Sequence, residues 1–264
     1  MVVRIALGVE YDGRAFCGWQ TQPAACAVQD VLEEALGKVH SGPVQTVVAG
    51  RTDAGVHALA QVVHFDAEHP RPVTAWVRGS NAHLPDGVAV LWAREVDSAF
   101  HARYSARERA YRYCILNRPV RPAALAGRVG WVHAPLDVEA MQEGSAYLVG
   151  VHDFSAFRAA ECQAKSPIRD LRLAEVRRRG ELVTFDFRGN AFLHHQVRNM
   201  VGALVWVGLR RRPPAWIGEV LAGADRRRAA QTFAAAGLYL IDVRYDCEWG
   251  LPGFQVKDIE DIVL

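Results

Sequence analysis

Lysine is almost missing from this chain: Lys38, Lys165 and Lys257 stand against 28 arginines. Long apolar runs are missing too. The most apolar stretch, Met200 to Leu209, follows directly on Arg198 and Asn199 and is too short to span a bilayer. Met1-Val2-Val3-Arg4 leads straight into an alternating strand pattern, which leaves no room for a signal peptide, so a cytoplasmic protein with no membrane association is expected. The five cysteines (Cys17, Cys26, Cys114, Cys162, Cys247) are odd in number, scattered, and free of any C-x-x-C pair. That argues against a disulfide framework and a cysteine zinc site, and reduced single thiols are expected. No Walker loop and no G-x-G-x-x-G occurs, which leaves nucleotide-dependent chemistry unsupported. The H-E-x-x-H of zincins, the G-x-S-x-G elbow, and the H-x-E with P-C-x-x-C of zinc deaminases are absent as well.

What is present is a globular composition. The 264 residues are half apolar and about a quarter charged, enough for one large or two smaller domains around a substantial core. Val3, Ile5, Leu7 and Val9 alternate with Arg4, Ala6, Gly8 and Glu10, the signature of a half-buried strand. Val28, Val31, Leu32, Ala35, Leu36 and Val39 recur at helical spacing. Strands are predicted over 44–49, 61–65 and 88–96, with a helix over 73–82. The second half repeats the rhythm. Strands are expected over 111–116, 129–133 and 240–245, a hairpin from 171–176 and 182–187 turning at Arg179-Gly180, and helices over 138–148, 192–209, 215–221 and 226–235. Mixed strands and helices without regular βαβ alternation imply an α+β protein of two similar halves. The boundaries expected are residues 1–105, 106–246 and a tail of 247–264.

The net charge of +2 is unevenly spread. Residues 98–130 carry seven Arg against one Glu, residues 165–246 fifteen basic against eight acidic groups, and the tail is acidic. The basic stretches are a candidate footprint for nucleic acid. General arginine usage explains part of the pattern, and runs such as Arg177-Arg178-Arg179, Arg210-Arg211-Arg212 and Arg226-Arg227-Arg228 are often solvated faces.

Three constellations carry chemistry. Gly50-Arg51-Thr52-Asp53-Ala54-Gly55-Val56-His57 packs two glycines, an Arg, an Asp and a His into one inter-strand connection. An aspartate flanked by cations stays ionised and serves as nucleophile or base; the alternative is an Asp that only organises its own turn. In Arg107-Glu108-Arg109-Ala110-Tyr111-Arg112-Tyr113, alternation puts both tyrosines on one strand face and Arg112 on the other. Rings beside guanidinium groups suit unpaired bases and phosphates, while core aromatics are the alternative. In His194-His195-Gln196-Val197-Arg198-Asn199, placed on a helix, adjacent His residues diverge and are poor joint metal ligands. Arg198 there needs a partner such as the Asp53 carboxylate.

Together these residues resemble the tRNA pseudouridine synthase A family. The matching stretches run in order from Tyr11-Asp12-Gly13 through Gly18-Trp19-Gln20, Gly50 to Ala58, Tyr111-Arg112-Tyr113, Asp153 to Arg158, His194 to Gly202, and Gly237-Leu238-Tyr239-Leu240. Cys17 and Ala110 depart from the more usual residues, and neither is assigned to chemistry. The resemblance implies two RRM-like (ferredoxin-like) α/β halves whose sheets join into one continuous, mainly antiparallel central sheet, with helices packed on it and an active cleft between the halves. It implies an isomerase acting on uridines at tRNA positions 38, 39 and 40 in the anticodon arm, working as a homodimer.

By the same resemblance Asp53 is the catalytic aspartate and Tyr111 stacks on the target base. Arg198 pairs with the aspartate, Arg51 helps to turn the nucleotide out, and Leu238 walls the pocket. The reaction breaks the N1–C1′ bond, rotates the uracil and rejoins it through C5, with no net oxidation or hydrolysis. It therefore asks for no cofactor, metal or nucleotide. The base must leave the helix to be reached. Two rivals remain: a non-catalytic RNA-binding module of the same fold, and a glycosidase with paired carboxylates. For the latter, Asp66 and Asp12 are only loosely placed second acids.

Overall fold

A computed structural model describes residues 2–69 and 71–253. The chain forms two compact units, one running up to Arg107 and taking up the chain again from Tyr239, the other spanning Glu108–Leu238. Mainly antiparallel strands with five α-helices among the described residues make an α+β fold.

In the first unit, β1 (Val3–Tyr11) lies between β3 (His57–Ala67) and β4 (Val88–Val96), antiparallel to both. The short β2 (Val47–Val48) pairs with β3, and β10 (Leu238–Tyr245) runs parallel to the start of β3. The unit's strand order is thus β4-β1-β3, with β2 and β10 both on β3. Helix α1 (Val28–His40) buries Val28, Leu32, Ala35 and Leu36, the stripe that the spacing predicts. Ala27 offers no capping oxygen, but the Asp30 carboxylate accepts its N–H at 2.9 Å. The helix ends at Ser41, whose φ of 65° turns the chain out. Helix α2 (Val73–Asn81) buries Trp76 and is tied to β4 by Asn81, which both donates to and accepts from the Val90 backbone.

The second unit is built on β5 (Ala106–Asn117), β9 (Leu182–Gly189), β8 (Ile168–Arg179) and β7 (Gly150–Asp153), all antiparallel to their neighbours in that order. Strand β6 (Gly130–Val132) runs parallel to β5. The β8–β9 hairpin turns where expected, at Gly180, with φ of 60°. Arg112 and Asp186, opposite one another on β5 and β9, form a half-buried two-pronged ion pair at 2.6 and 3.0 Å. Helix α3 (Val138–Ala146) is capped by Asp137, which accepts from Ala140 N–H at 3.0 Å. It packs on β8 and on α4 (Gln196–Gly208), a helix buried on nearly every side; α5 (Trp216–Gly223) follows.

Several expectations are corrected. The helix expected from Phe192 starts four residues later. His195 adopts φ of 61°, and the Gln196 side chain accepts the Leu193 N–H at 2.8 Å. The helix expected over 226–235 is one 3-10 turn, Arg226–Arg228. The Arg226 guanidinium donates to Ala230 O, Asn199 Oδ1 and Thr232 Oγ1 and so pulls the following chain out of helical form. The strand expected over 44–49 shrinks to two residues, because Glu33 captures both the N–H and the hydroxyl of Thr46. Strand β7 was not foreseen.

The cysteines were not all reduced thiols either: Cys17 and Cys26 form a disulfide, their Cα atoms 5.5 Å apart. A backbone hydrogen bond from Cys17 N–H to Cys26 O brings the two together, a closure that spacing alone does not reveal. Of the tail, residues 254–264 lie outside the described residues, while Trp249 meets Phe100 edge-on at 5.4 Å. Among the described residues no helix is long and apolar enough to cross a membrane.

Candidate active site

In the first unit, the loop between β2 and β3 presents Arg51 to solvent, buries Thr52, and leaves Asp53 half-buried. Three separate holds fix this alternation. Gln61 of β3 donates to Gly50 O at 2.8 Å, and Thr52 O accepts Trp19 N–H at 3.0 Å. Val56 N–H closes a turn on Asp53 O at 3.1 Å, with Gly55 at φ of 76° supplying the left-handed residue. Gly18 lies flat against the loop from the other side. A Cβ on it would sit 2.8 Å from Thr52 O and 3.1 Å from Ala54 N, at a φ of 101° that also disfavours any side chain. The Gly-flanked octet is therefore a rigid shelf that carries an exposed Arg51 and a half-buried Asp53.

The loop runs into His57, which is buried and stacked on Tyr239 with ring centres 4.6 Å apart. Its Nδ1 lies 3.2 Å from Gly13 N–H and 3.3 Å from an Asp12 oxygen, two neighbours that want opposite things of one nitrogen. We assign the lone pair to Gly13, whose buried N–H needs an acceptor. The Asp12 carboxylate is already held by the Arg14 backbone and guanidinium, down to 2.6 Å. Burial pushes the Asp12 carboxyl up, but the hydrogen bonds from Arg14 outweigh it and leave its pKa below the usual value.

In the second unit, Tyr111 sits mid-strand on β5 opposite Phe187, largely buried, with Phe192 edge-on to its ring at 5.0 Å. Tyr113, two residues on, is wholly buried and its hydroxyl donates to Ala234 O at 2.9 Å and to Ala236 O. The two tyrosines that sequence grouped together are thus separated in role: Tyr113 is a core anchor. Arg198 occupies the first turn of α4. Its Nε donates to Phe233 O at 2.9 Å, and its own carbonyl accepts Phe233 N–H at 3.2 Å. Gly202, a turn further, lets that segment lie on the helix, since a Cβ would meet Gln231 O at 2.3 Å.

Leu238 is buried and opens β10. Gly237 before it has φ of 92° and exchanges close backbone contact with β5, where Cys114 N–H donates to its carbonyl at 2.8 Å. Residues 231–238 are therefore stitched down by Arg198, Tyr113 and Cys114, and Phe233 is the positioning group that motif reading missed. The histidines also differ from expectation. Because His195 leaves helical geometry, the His194 and His195 rings do not diverge but lie 4.0 Å apart. The structure thus groups Arg51 with Asp53 in one loop of the first unit, and sets Tyr111, Arg198 and Leu238 in the second.

Known proteins match this chain along most of its length. A family model described as tRNA pseudouridine synthase covers residues 8–105 and 145–246. The tRNA pseudouridine synthase A of Thiobacillus denitrificans is 59% identical over 251 residues, 95% of this chain and 96% of the relative. That of Methylobacillus flagellatus is 59% identical over 255 residues, covering 97% and 98%. The enzyme of that name from Nitrosomonas eutropha is 53% identical over 261 residues, covering 99% and 94%. The chain belongs to the tRNA pseudouridine synthase family.

Proposed function

We propose that the chain isomerises uridine to pseudouridine in the anticodon arm of tRNA, at positions 38, 39 and 40, with Asp53 as its catalytic residue. The observation that carries this is a half-buried carboxylate on a shelf locked from both sides, in a family whose members are named for the reaction. Asp53 attacks the sugar or removes its 2′ proton, freeing uracil to rotate and rejoin through C5. Tyr111 offers a ring face to the turned-out base, which offsets part of the lost stacking. Its edge contact with Phe192 fixes the plane of that ring. By the family resemblance Arg198 is the intended partner of the Asp53 carboxylate, and its guanidinium is held in orientation by Phe233 O. Arg51, exposed beside Asp53, helps to turn the nucleotide out, and Leu238 forms an apolar wall of the pocket.

The protein acts in the cytoplasm as a homodimer on one tRNA. In that reducing compartment the exposed Cys17 and half-buried Cys26 are open to thiol exchange. Tritium release from tRNA labelled at uridine C5 tests the assignment. Asp53→Asn should abolish turnover, a loss of at least about a thousandfold, while tRNA affinity stays near that of the wild type. An active Asp53→Asn protein refutes the catalytic role. A matching loss of tRNA affinity reassigns Asp53 to structure. A wild type that is itself inactive on tRNA favours the RNA-binding module.

A further inference from the structure

Behind the Asp53 shelf lies a chain of buried polar side chains that the reaction itself does not call for. Gln61 is fully buried on β3, and its Nε2 donates both to Gly50 O at 2.8 Å and to the Tyr11 hydroxyl at 3.2 Å. Tyr11, buried at the end of β1, shares a 2.7 Å hydrogen bond with Thr52 Oγ1. Thr52 is the residue immediately before Asp53, and its carbonyl is separately held by Trp19.

The direction of this chain follows from chemistry. A carbonyl only accepts, so the end of Gln61 facing Gly50 O is its NH2 group. That group donates to the Tyr11 oxygen, and we assign the proton of the Tyr11–Thr52 bond to the phenol, the stronger donor, with Thr52 Oγ1 accepting. Burial, against smaller opposing effects of Thr52 and Gln61, pushes the Tyr11 hydroxyl up to about 12, so it remains a neutral donor at physiological pH. Packing does not explain the arrangement. Leu at 61, Phe at 11 and Val at 52 would fill similar volumes without burying an amide and two hydroxyls that must all be satisfied. Such a network instead fixes a single rotamer for Thr52 and a single path for the backbone between Gly50 and Asp53. The register shift in β1 between Val9 and Tyr11 helps to bring the phenol under the loop.

We infer that Gln61, Tyr11 and Thr52 form a one-way hydrogen-bond relay whose task is to position the Asp53 carboxylate, making all three positioning residues for the reaction. The inference rests on the reading of Asp53 as the catalytic group. It differs from a purely structural role because it acts on turnover more than on substrate binding.

The test uses the full-length protein, with kcat and KM for tritium release from labelled tRNA and a thermal melt for each variant. Tyr11→Phe, which removes one oxygen, should lower kcat by about tenfold or more with KM within about twofold of the wild type, because sub-ångström misplacement weighs on the chemical step. Thr52→Val should do the same, and Thr52→Ser, which keeps the hydroxyl, should recover most of the rate. Tyr11→Phe combined with Thr52→Val should be no worse than Thr52→Val alone, as expected of one connected unit. Folded Tyr11→Phe with unchanged kcat overturns the relay, as does a change confined to KM, or Thr52→Ser no better than Thr52→Val. If Thr52→Val does not fold, Tyr11→Phe and Thr52→Ser decide. Asp53→Asn run alongside separates the two readings: if it stays active, the catalytic assignment fails whatever Tyr11→Phe does.

Discussion

His64 shows how a single buried side chain couples this fold to pH. It sits on β3 almost without exposure, its Nδ1 accepting Ala102 N–H at 3.1 Å and its ring facing Phe100 and His101. Burial first, then the charges of Arg4 and His101, push its pKa down to about 4, against a smaller upward pull from Asp66. Between pH 6.5 and 4 the unfolded chain takes up a proton at this site and the folded one does not. Stability therefore falls as pH drops through that window and levels off below it. The effect of this one group is about 3 kcal/mol at most. Urea midpoints at pH 7, 5.5 and 4 should show the drop in the wild type and a smaller one in His64→Gln. Equal drops in both proteins would assign the pH dependence to other groups. Residues of this kind are hard to read in sequence. His64 looks like one more position in an alternating strand, and only the fold places Ala102, Arg4 and His101 around it. The loop holding Asp53 could be singled out in sequence because two glycines, an arginine and the aspartate fall within a few consecutive residues.

At the scale of elements, what was legible depended on whether periodicity decided the structure. Helix α1 follows its apolar stripe, and β4 falls where a strand was expected over 88–96, so both agree with expectation. Segments fixed by distant side chains did not. The stretch after Arg228 is extended because a guanidinium grips it, and Thr46 is held by Glu33 thirteen residues away. The Cys17–Cys26 closure and the late start of α4 belong to the same class.

Glycines give a measurable contrast between local and long-range control. Gly180 has φ of 60° in the β8–β9 turn with nothing near a prospective Cβ. Gly237 has φ of 92°, and a Cβ there would meet Cys114 O at 2.4 Å and Gly130 N at 2.6 Å. Gly180→Ala should cost about 1–2 kcal/mol, the left-handed penalty alone. Gly237→Ala adds a backbone clash and should cost more than about 4 kcal/mol or fail to fold. Denaturant titration of the two variants checks this. Similar costs would mean that the segment before β10 yields easily, against the picture of residues 231–238 as a fixed wall.

At the scale of the molecule, arginines of every basic run make bonds within the protein while their guanidinium groups stay largely exposed. Arg177 is paired with Glu175, Arg210 with Asp137, and Arg227 with Asp225, while Arg178 holds Asn117 and Leu136 and Arg226 ties the chain after α5 to Asn199. Members of all three arginine runs, read in the sequence as often solvated faces, thus have intramolecular partners, and the net charge is only +2. Binding of tRNA must still release counterions, because any contact to phosphate does so. Affinity should fall by at least about tenfold between 50 and 200 mM salt, which corresponds to a minimum of about two neutralised phosphates. Arg177→Gln removes a guanidinium already balanced by its neighbour and should leave the slope of log affinity against log salt unchanged. Filter binding across a salt series measures both. A flat dependence in the wild type would remove phosphate contacts from the account of recognition. A slope that falls by about one in Arg177→Gln would show that the Glu175 pair opens to meet RNA, and that the internal pairing of these runs is exchanged for phosphate on binding.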